Sequence, residues 1–280
     1  MTCTFKEERD KFHQKVLDAL VRLNSDGIPN FADSSSKVSS SLAIRIYDEL
    51  KGSEGSGEVL AQTSGKKFEE LVSDFVCSCF TRLNHLRPGK WSFGRNRSIT
   101  SYEQYIHLID INNAAKNDTQ LAAVLGRDYV VKPDIVVWRS PENDDVINRN
   151  DFLVDEHAAR MASIRKTNNK HPILHASISC KWTIRSDRSQ NSRTEALNLI
   201  RNRKGRLPHI VVVTAEPLPS RIASIALGTG DIDCTYHFAL DELITAVDAS
   251  GHEEAQNLVH MMVDGKRLRD ISDLPLDIAS

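Results

Sequence analysis

The chain has 280 residues, with 36 Lys and Arg against 38 Asp and Glu, so its formal net charge is −2. This balance excludes a uniformly basic protein that coats nucleic acid, and it also excludes an acidic, solvated tail. Hydrophobic residues make up 40% of the chain and charged residues 26%, which excludes both a disordered protein and a membrane protein.

The first part of the chain is predicted to contain two loops and one strong helix. Clusters of Ser, Gly, Asn and Asp predict loops at residues 24–41 and 51–58. Apolar residues then recur at three- and four-residue spacing from Phe68 to Leu83, and Pro88 lies just beyond them. This spacing predicts a helix with one buried face.

The later elements predict a mixed sheet. Two further helices are predicted at residues 102–116 and 120–125. Strands are predicted at residues 129–138, with Pro133 interrupting the strand near its middle, and at residues 173–184, 209–214 and 233–240. A helix at about residues 188–203 separates the second strand from the third, which is the order of a βαβ crossover. We therefore expect an α/β fold with a mixed central β-sheet flanked by helices.

The domain organisation is predicted to be simple. Neither loop is long enough to indicate a domain linker, so we expect a single domain over residues 1–280. Its helical and loop part covers about residues 1–125, and its sheet core covers about residues 126–280.

The cysteines and the N-terminal residues indicate the compartment. The five cysteines are odd in number and form no CxxC pair, which disfavours a disulfide framework and a zinc site. The N-terminal residues lack the apolar core of a signal peptide, and no apolar run approaches the roughly 18 residues that span a bilayer. We expect a cytoplasmic protein with no membrane contact.

An acidic and a basic residue on two predicted strands suggest phosphate chemistry. Asp134 follows a proline, and Lys181 lies inside a strand, where an unpaired ammonium would be costly. Together they can hold a divalent metal and stabilise phosphate charge, as in the PD-(D/E)xK nucleases. The acid position of that motif is Ser179, so a second carboxylate must come from elsewhere, and Glu195 on the following helix can supply it. The alternative is a plain salt bridge at an edge strand.

A basic segment begins at Lys181. The 26 residues from Lys181 to Arg206 hold eight basic and two acidic residues, which leaves a net charge of +6. Arg185 and Arg188 have the chemistry to read guanine in the major groove, and Asp187 between them can accept from cytosine. This set suits a CCGG palindrome read by a two-fold dimer. The alternative is a solvated helix N-terminus with Asp187 as its cap.

At this point a family resemblance becomes specific. The stretch from Ser177 to Arg188, followed by Glu195, resembles the CCGG-group Type II restriction endonucleases of the PD-(D/E)xK superfamily. Further matching stretches are Gln62–Gly65, Asn202–His209 and Ser220–Ile222. In this group the second acid is displaced onto the following helix, so Ser179 fits the group's pattern. The resemblance implies a restriction-endonuclease-like core.

The resemblance also implies the roles of individual residues. Asp134 and Glu195 are expected to be Mg²⁺ ligands and Lys181 the catalytic lysine, with Ser179 in the vacated acid position. Glu69 is expected to be an additional acidic residue of the active site. Because Glu70 is adjacent, the choice of Glu69 rather than Glu70 depends on the alignment. The alternative is that Glu69 is an ordinary exposed glutamate on a helix.

For DNA contacts, the resemblance implies two groups. Arg185, Asp187 and Arg188 are expected to read the CCGG core in the major groove. Contacts in the minor groove or near the outer base pair are expected from Gln62, Asp33, Ser35 and Arg221.

The implied function is a Mg²⁺-dependent, sequence-specific endonuclease for double-stranded DNA. The implied target contains CCGG and is expected to be GCCGGC, cut after the first G to leave 5′-phosphate and 3′-hydroxyl ends. The implied assembly is a homotetramer, a dimer of dimers, with a cognate methyltransferase encoded separately. Two alternatives stay open: a repair or recombination nuclease of the same fold without strict site specificity, and a DNA-binding regulator that does not cut.

Overall fold

The computed structural model describes residues 3–50, 64–125, 129–184, 186–228 and 230–280, with the backbone alone at residues 125 and 186–189. Its α-helices, in chain order, are α1 (Thr4–Ala19), α2 (Lys37–Leu50), α3 (Ser64–Phe80), α4 (Leu108–Asn117), α5 (Thr119–Leu125), α6 (Asp144–Ile147), α7 (Ser186–Asn202), α8 (Pro219–Ala226), α9 (Leu240–Asp248), α10 (Glu253–Asp264) and α11 (Leu274–Asp277). Its strands are β1 (Trp91–Arg95), β2 (Ile135–Arg139), β3 (Ile173–Lys181), β4 (His209–Thr214), β5 (Cys234–His237) and β6 (Leu268–Asp270). Short 3₁₀ turns lie at Thr81–Leu83, Ile99–Ser101 and Glu103–Tyr105.

The strands form one mixed sheet in the order β1-β2-β3-β4-β5-β6. The pairs β1–β2 and β2–β3 are antiparallel. From β3 to β6 the strands run parallel. Helix α7 connects β3 to β4, so the predicted βαβ crossover is confirmed, and with it the α/β class and the mixed central sheet.

Both faces of the sheet are buried. On β4, Val211 and Val213 belong to one apolar cluster, whereas Ile210 and Val212 belong to a second cluster on the other face. This alternation explains why β4 reads as a continuous apolar run, since successive side chains of a strand point to opposite faces.

Helix α3 packs against the first of these clusters. The predicted helical face is confirmed, because its apolar positions are all buried: Phe68, Leu71, Val72, Phe75, Val76, Cys79 and Phe80. Burying a residue of this size contributes about 1.5–3 kcal/mol relative to leaving it exposed. The face anchors α3 against the sheet, where α3 contacts both β1 and β3.

Two of the predicted elements differ from the structure for identifiable reasons. The strand predicted at residues 129–138 begins only at Ile135, because Pro133 has no N–H and the carbonyl of Val131 accepts from the N–H of Ile99 instead. The helix predicted at residues 102–116 begins only at Leu108. The Gln104 amide binds the backbone of Leu174 on β3, which holds the preceding residues in a 3₁₀ turn against the sheet.

The remaining differences concern element ends, two short strands and helices that were not predicted, which are α1, α2, α8, α9 and α10 and the four-residue α6 and α11. The predicted loop at residues 24–41 is interrupted by α2, which begins at Lys37, and the predicted loop at residues 51–58 lies outside the described residues. Strand β3 ends at Lys181 and β5 ends at His237, both earlier than predicted. Strands β1 and β6 were not predicted: β6 has only three residues, and the alternation of Trp91 and Phe93 in β1 extends over only five.

The structure also describes the state of the cysteines and the length of the helices. All five cysteines are free thiols in the part of the chain that the structure describes, which includes each of them. Among the described residues, no helix combines the length and the apolar character needed to cross a membrane.

Candidate active site

The antiparallel β2–β3 pair places Asp134 beside the end of β3. Ile135 pairs with Ile178, so the residue before Ile135 lies opposite Ser179. Asp134 Oδ2 accepts a hydrogen bond of 2.7 Å from the backbone N–H of Cys180. The hydroxyl of Ser179 donates to the same oxygen at 3.4 Å. A backbone donor and a side-chain donor therefore hold the Asp134 carboxylate in place.

Lys181 meets this carboxylate. Its Nζ lies 3.4 Å from Asp134 Oδ2, and the two side chains are 16% and 21% exposed. Strand β3 lies inside the sheet between β2 and β4. A salt bridge at a sheet edge is therefore the wrong description of the pair, because the Lys181 ammonium is held at the end of an interior strand.

Helix α7 brings Glu195 towards the same two residues. Burial raises the pKa of Glu195; the charge of Lys181 lowers it, and that of Asp134 raises it further. The crossover packing thus puts Glu195 within electrostatic reach of Asp134 and Lys181, although it is 61 positions after Asp134 in the chain. A half-buried carboxylate whose ionisation is opposed by burial and by the charge of Asp134 lies where a cation would stabilise it.

Helix α3 supplies Glu69 from the other side. Burial raises the pKa of Glu69, the charge of Asp134 raises it further, and a hydrogen bond from Asn96 lowers it. Its neighbour Glu70 faces elsewhere and pairs with Lys67 at 2.9 Å. The structure therefore favours Glu69 over Glu70 as the residue beside the pair formed by Asp134 and Lys181.

Asn96 was missed by the sequence reasoning. It follows β1 with a φ of 52°, a left-handed conformation that Asn adopts more readily than most residues. Its backbone N–H donates to the carbonyl of Asp134 at 3.1 Å, and its side chain binds Glu69. Asn96 therefore connects two of the expected active-site residues. The available signal was the polar run Arg95-Asn96-Arg97 after an aromatic segment, which carries meaning only once β1 is known.

The donor set has the chemistry for a hard divalent cation. In the part of the chain that the structure describes, no group of three His, Cys, Asp or Glu side chains is close enough to form a metal cage. Mg²⁺ does not need such a cage, because proteins bind it through one or two carboxylates together with water and substrate phosphate. Asp134 and Glu195 fit that requirement.

The residues expected to contact DNA fall into two groups. Gln62 and Arg185 lie outside the described residues, and of Asp187 and Arg188 only the backbone is described, in the first turn of α7. That turn comes directly after the segment that carries Lys181.

The other group is brought together by the fold. Arg221 on α8 forms an ion pair with Asp33, and the Ser35 hydroxyl donates to Asp33 Oδ1 at 2.6 Å. The Ser35 hydroxyl and N–H lower the pKa of Asp33, and Arg221 lowers it further. Arg221 thus joins Asp33 and Ser35, which lie 188 and 186 positions before it, in one polar cluster.

Comparisons with known proteins identify the family of the chain. The sequence pattern of the NgoMIV restriction enzyme family matches residues 12–280. The chain is 54% identical over 285 residues to the Type II restriction enzyme NgoMIV of Neisseria gonorrhoeae, covering 100% of both proteins. A solved complex of the restriction endonuclease PspGI with substrate DNA overlaps 98% of this chain and 91% of that one, at 15% identity and a TM-score of 0.32. A likeness at that level does not bear on function, whereas the first two findings do. The chain belongs to the NgoMIV family of Type II restriction enzymes.

Proposed function

We propose that this restriction enzyme is a Mg²⁺-dependent endonuclease that cleaves both strands of GCCGGC after the first G, with Asp134, Glu195 and Lys181 at its catalytic centre. Family membership makes the chain a site-specific deoxyribonuclease whose partner is DNA. The palindrome, the metal and the residue roles are the parts that we propose.

The observation that carries the proposal is the meeting of Asp134, Ser179 and Lys181 at the end of an interior strand. A carboxylate fixed by the Cys180 N–H lies 3.4 Å from an ammonium that is only 16% exposed. A lysine held in this way is positioned to donate a hydrogen bond to a phosphate oxygen and to stabilise negative charge there.

Restriction endonucleases generally use a divalent metal, and we assign its protein ligands to Asp134 and Glu195. When bound, Mg²⁺ supplies positive charge against the scissile phosphate and makes water a better nucleophile. Glu69 adds a third carboxylate at the margin of the site. The Ser179 hydroxyl takes the place of the acid in the general motif, and it orients Asp134.

The proposed reaction is hydrolysis with in-line displacement. A water oxygen forms a bond to phosphorus, and the bond from phosphorus to the 3′-oxygen breaks. The departing oxygen takes up a proton and becomes the 3′-hydroxyl, while the phosphate stays on the 5′ end. Lys181 stabilises the charge that builds up on the phosphate oxygens during this exchange.

Base recognition is proposed to come from two groups of residues. Arg185, Asp187 and Arg188 read the CCGG core in the major groove, where Arg pairs with guanine and a carboxylate accepts from cytosine. The cluster of Asp33, Ser35 and Arg221 contacts the outer base pair. Gln62 is proposed as a minor-groove contact.

The assembly is proposed to be a homotetramer made of two dimers, with one active site for each strand of a palindrome. The segment after α6 supports subunit contacts, because Phe152, Leu153 and Met161 are 80%, 61% and 92% exposed. Their concentration in one segment favours an interaction surface there over singly scattered apolar residues. We further propose a cytoplasmic enzyme with a separately encoded methyltransferase that protects the host's own sites.

Digestion of a sequenced plasmid with Mg²⁺ tests the proposal. Discrete fragments that end at every GCCGGC site are expected. A smear of fragments would favour a nuclease of the same fold without strict specificity, and specific binding without cleavage would favour a regulator. Omitting the metal and adding a chelator should stop the reaction, and restoring Mg²⁺ should restart it.

A further inference from the structure

Glu216 is a buried carboxylate that the catalytic proposal does not use. It follows β4 and precedes α8, and its exposed fraction is 0%. Burial raises the pKa of Glu216, while two backbone N–H groups and Arg221 lower it. Burying an ionised carboxylate costs folding free energy unless hydrogen bonds and a positive charge compensate it. The contacts of Glu216 therefore show what stabilises it there.

The first contact is with the segment that enters α7. Glu216 Oε2 accepts a hydrogen bond of 2.8 Å from the backbone N–H of Ile184. Ile184 lies three residues after Lys181, where β3 has ended, and two residues before α7 begins. Its N–H has therefore left the strand ladder, and the carboxylate takes the place of the missing carbonyl. Glu216 thus fixes the backbone of Ile184, which lies between β3 and α7.

The second contact is with the cluster of Asp33, Ser35 and Arg221. Arg221 Nη1 lies 3.8 Å from Glu216 Oε2, the oxygen that also accepts from Ile184. The same guanidinium pairs with Asp33 through Nη2. Glu216 Oε1 accepts from the N–H of Leu218 at 3.1 Å, which ties the carboxylate to the start of α8. One carboxylate therefore touches both the entry to α7 and the arginine of α8.

We infer that Glu216 is a positioning residue that couples the backbone of Ile184, just before α7, with the Arg221–Asp33 pair, and so links the two groups of residues proposed to read bases. This inference rests on the base readout proposed above. It adds that the two groups are not independent: the orientation of Arg221 and the backbone of Ile184 depend on the same buried oxygen. Sequence specificity at the outer base pair and at the CCGG core should then change together when Glu216 changes.

The test compares wild type with Glu216→Gln on three duplexes: GCCGGC, ACCGGT with a changed outer pair, and GCGCGC with a changed core. In the variant, the amide has one acceptor oxygen instead of two and no charge for Arg221. We expect the preference for GCCGGC over each of the other duplexes to fall about tenfold, as measured by single-turnover cleavage. Binding of the same duplexes by each protein in a Lys181→Ala background gives the preference without the chemical step.

Asp270→Asn is the matched control. Asp270 is also a buried carboxylate paired with an arginine, Arg9, and it accepts from the backbone N–H groups of Leu240 and Ser272. It lies on the edge strand β6, three strands away from β3. We expect this variant to lower the thermal unfolding midpoint and to leave both sequence preferences unchanged.

The outcomes separate the inference from the function on which it rests. Equal slowing of Glu216→Gln on all three duplexes, with preferences like those of Asp270→Asn, would overturn the positioning role. A wild type that does not prefer GCCGGC would overturn the proposed readout itself. If Glu216→Gln does not fold, Glu216→Asp provides the test, since aspartate keeps the charge but is one methylene shorter. A reduced preference at both the outer pair and the core supports the inference. An unchanged preference overturns it.

Discussion

The backbone N–H of Cys180 donates a 2.7 Å hydrogen bond to the side chain of Asp134 across the β2–β3 pair. This bond holds the Asp134 carboxylate beside the end of β3. Lys181, the residue after Cys180, pairs with the same carboxylate. The arrangement depends on antiparallel register rather than on nearness in sequence, since 47 positions separate Asp134 from Lys181. The proposed chemistry follows from that register.

Lys181→Ala is expected to lower the cleavage rate by about 10³-fold and to keep specific binding, because the ammonium stabilises charge that develops only during the reaction. Single-turnover cleavage and gel-shift binding of a GCCGGC duplex measure the two effects. Lys15→Ala removes an exposed lysine on α1 and should change neither. Loss of specific binding in Lys181→Ala, with the fold intact, would contradict a role in catalysis alone.

Glu69→Gln is expected to slow cleavage about tenfold or more, because its carboxylate lies beside Asp134 and acts on the same charges. Glu70→Gln is the matched control, since it changes the adjacent residue, which pairs with Lys67 on the exposed side of α3. Its rate should stay within about twofold of wild type. Equal cleavage rates for the two variants would show that Glu69 is not part of the active site.

Asp187→Ala is expected to reduce discrimination at the CCGG core by about 1–3 kcal/mol for each base that the carboxylate reads. The alternative of Asp187 as the helix cap is wrong, because α7 begins at Ser186 and Asp187 is its second residue. Asp187→Ser separates base reading from stabilisation of the helix start, because serine keeps a hydrogen-bonding side chain there without the charge. Cleavage of GCCGGC relative to GCGCGC provides the measurement. If serine preserves the preference and alanine does not, Asp187 stabilises the first turn of α7 rather than reading bases.

The agreement between sequence and structure is closest where a periodic pattern is long. The buried face of α3 and the apolar run of β4 were predictable, since packing agrees there with local periodicity. The meeting of Asp134 with Lys181 was also predictable, because the spacing of these two residue types on strands has few chemical uses. Local pattern and tertiary packing point the same way in all three.

Other features of the fold and of the site depend on tertiary contacts that the local sequence does not indicate. Gln104 holds its segment in a 3₁₀ turn by binding the backbone of Leu174, and nothing in the local sequence indicates that partner. Asn96 and Glu216 were missed for the same reason: each acts on residues that are distant in the chain. A buried carboxylate such as Glu216 looks like an ordinary loop residue until its donors, the N–H groups of Ile184 and Leu218, are known.

The stability of the fold should depend on pH through Arg9. This arginine binds Glu242 at 2.7 Å and 2.9 Å and Asp270 at 2.8 Å and 2.9 Å. Burial alone would raise the pKa of both carboxyls, but hydrogen bonds and charge from Arg9 lower it overall. Since the folded-state pKa values are lowered, this stabilisation is present above the ordinary carboxyl pKa values of about 4 and is lost as the pH falls through the lowered values.

Arg9→Met is therefore expected to lower the free energy of unfolding by about 3–5 kcal/mol at neutral pH, because it leaves two buried carboxylates without their cation. The deficit should shrink at about pH 4, because in the variant the buried carboxyls are no longer kept ionised by Arg9 and become protonated. Urea unfolding at the two pH values measures it. Lys6→Met, which breaks an exposed pair with Asp10, should cost less than about 1 kcal/mol at either pH. An Arg9→Met deficit that does not depend on pH would contradict the ionic explanation.

The most direct test of the central claim is to map the DNA ends that the wild-type protein produces with Mg²⁺ at nucleotide resolution. We predict cleavage between the first G and the first C on both strands of GCCGGC, with 5′-phosphate and 3′-hydroxyl ends. We also expect Lys181→Ala, under the same conditions, to leave this DNA bound and intact. Cleavage at another sequence, ends of the opposite chemistry, or full activity of Lys181→Ala would contradict the proposed function.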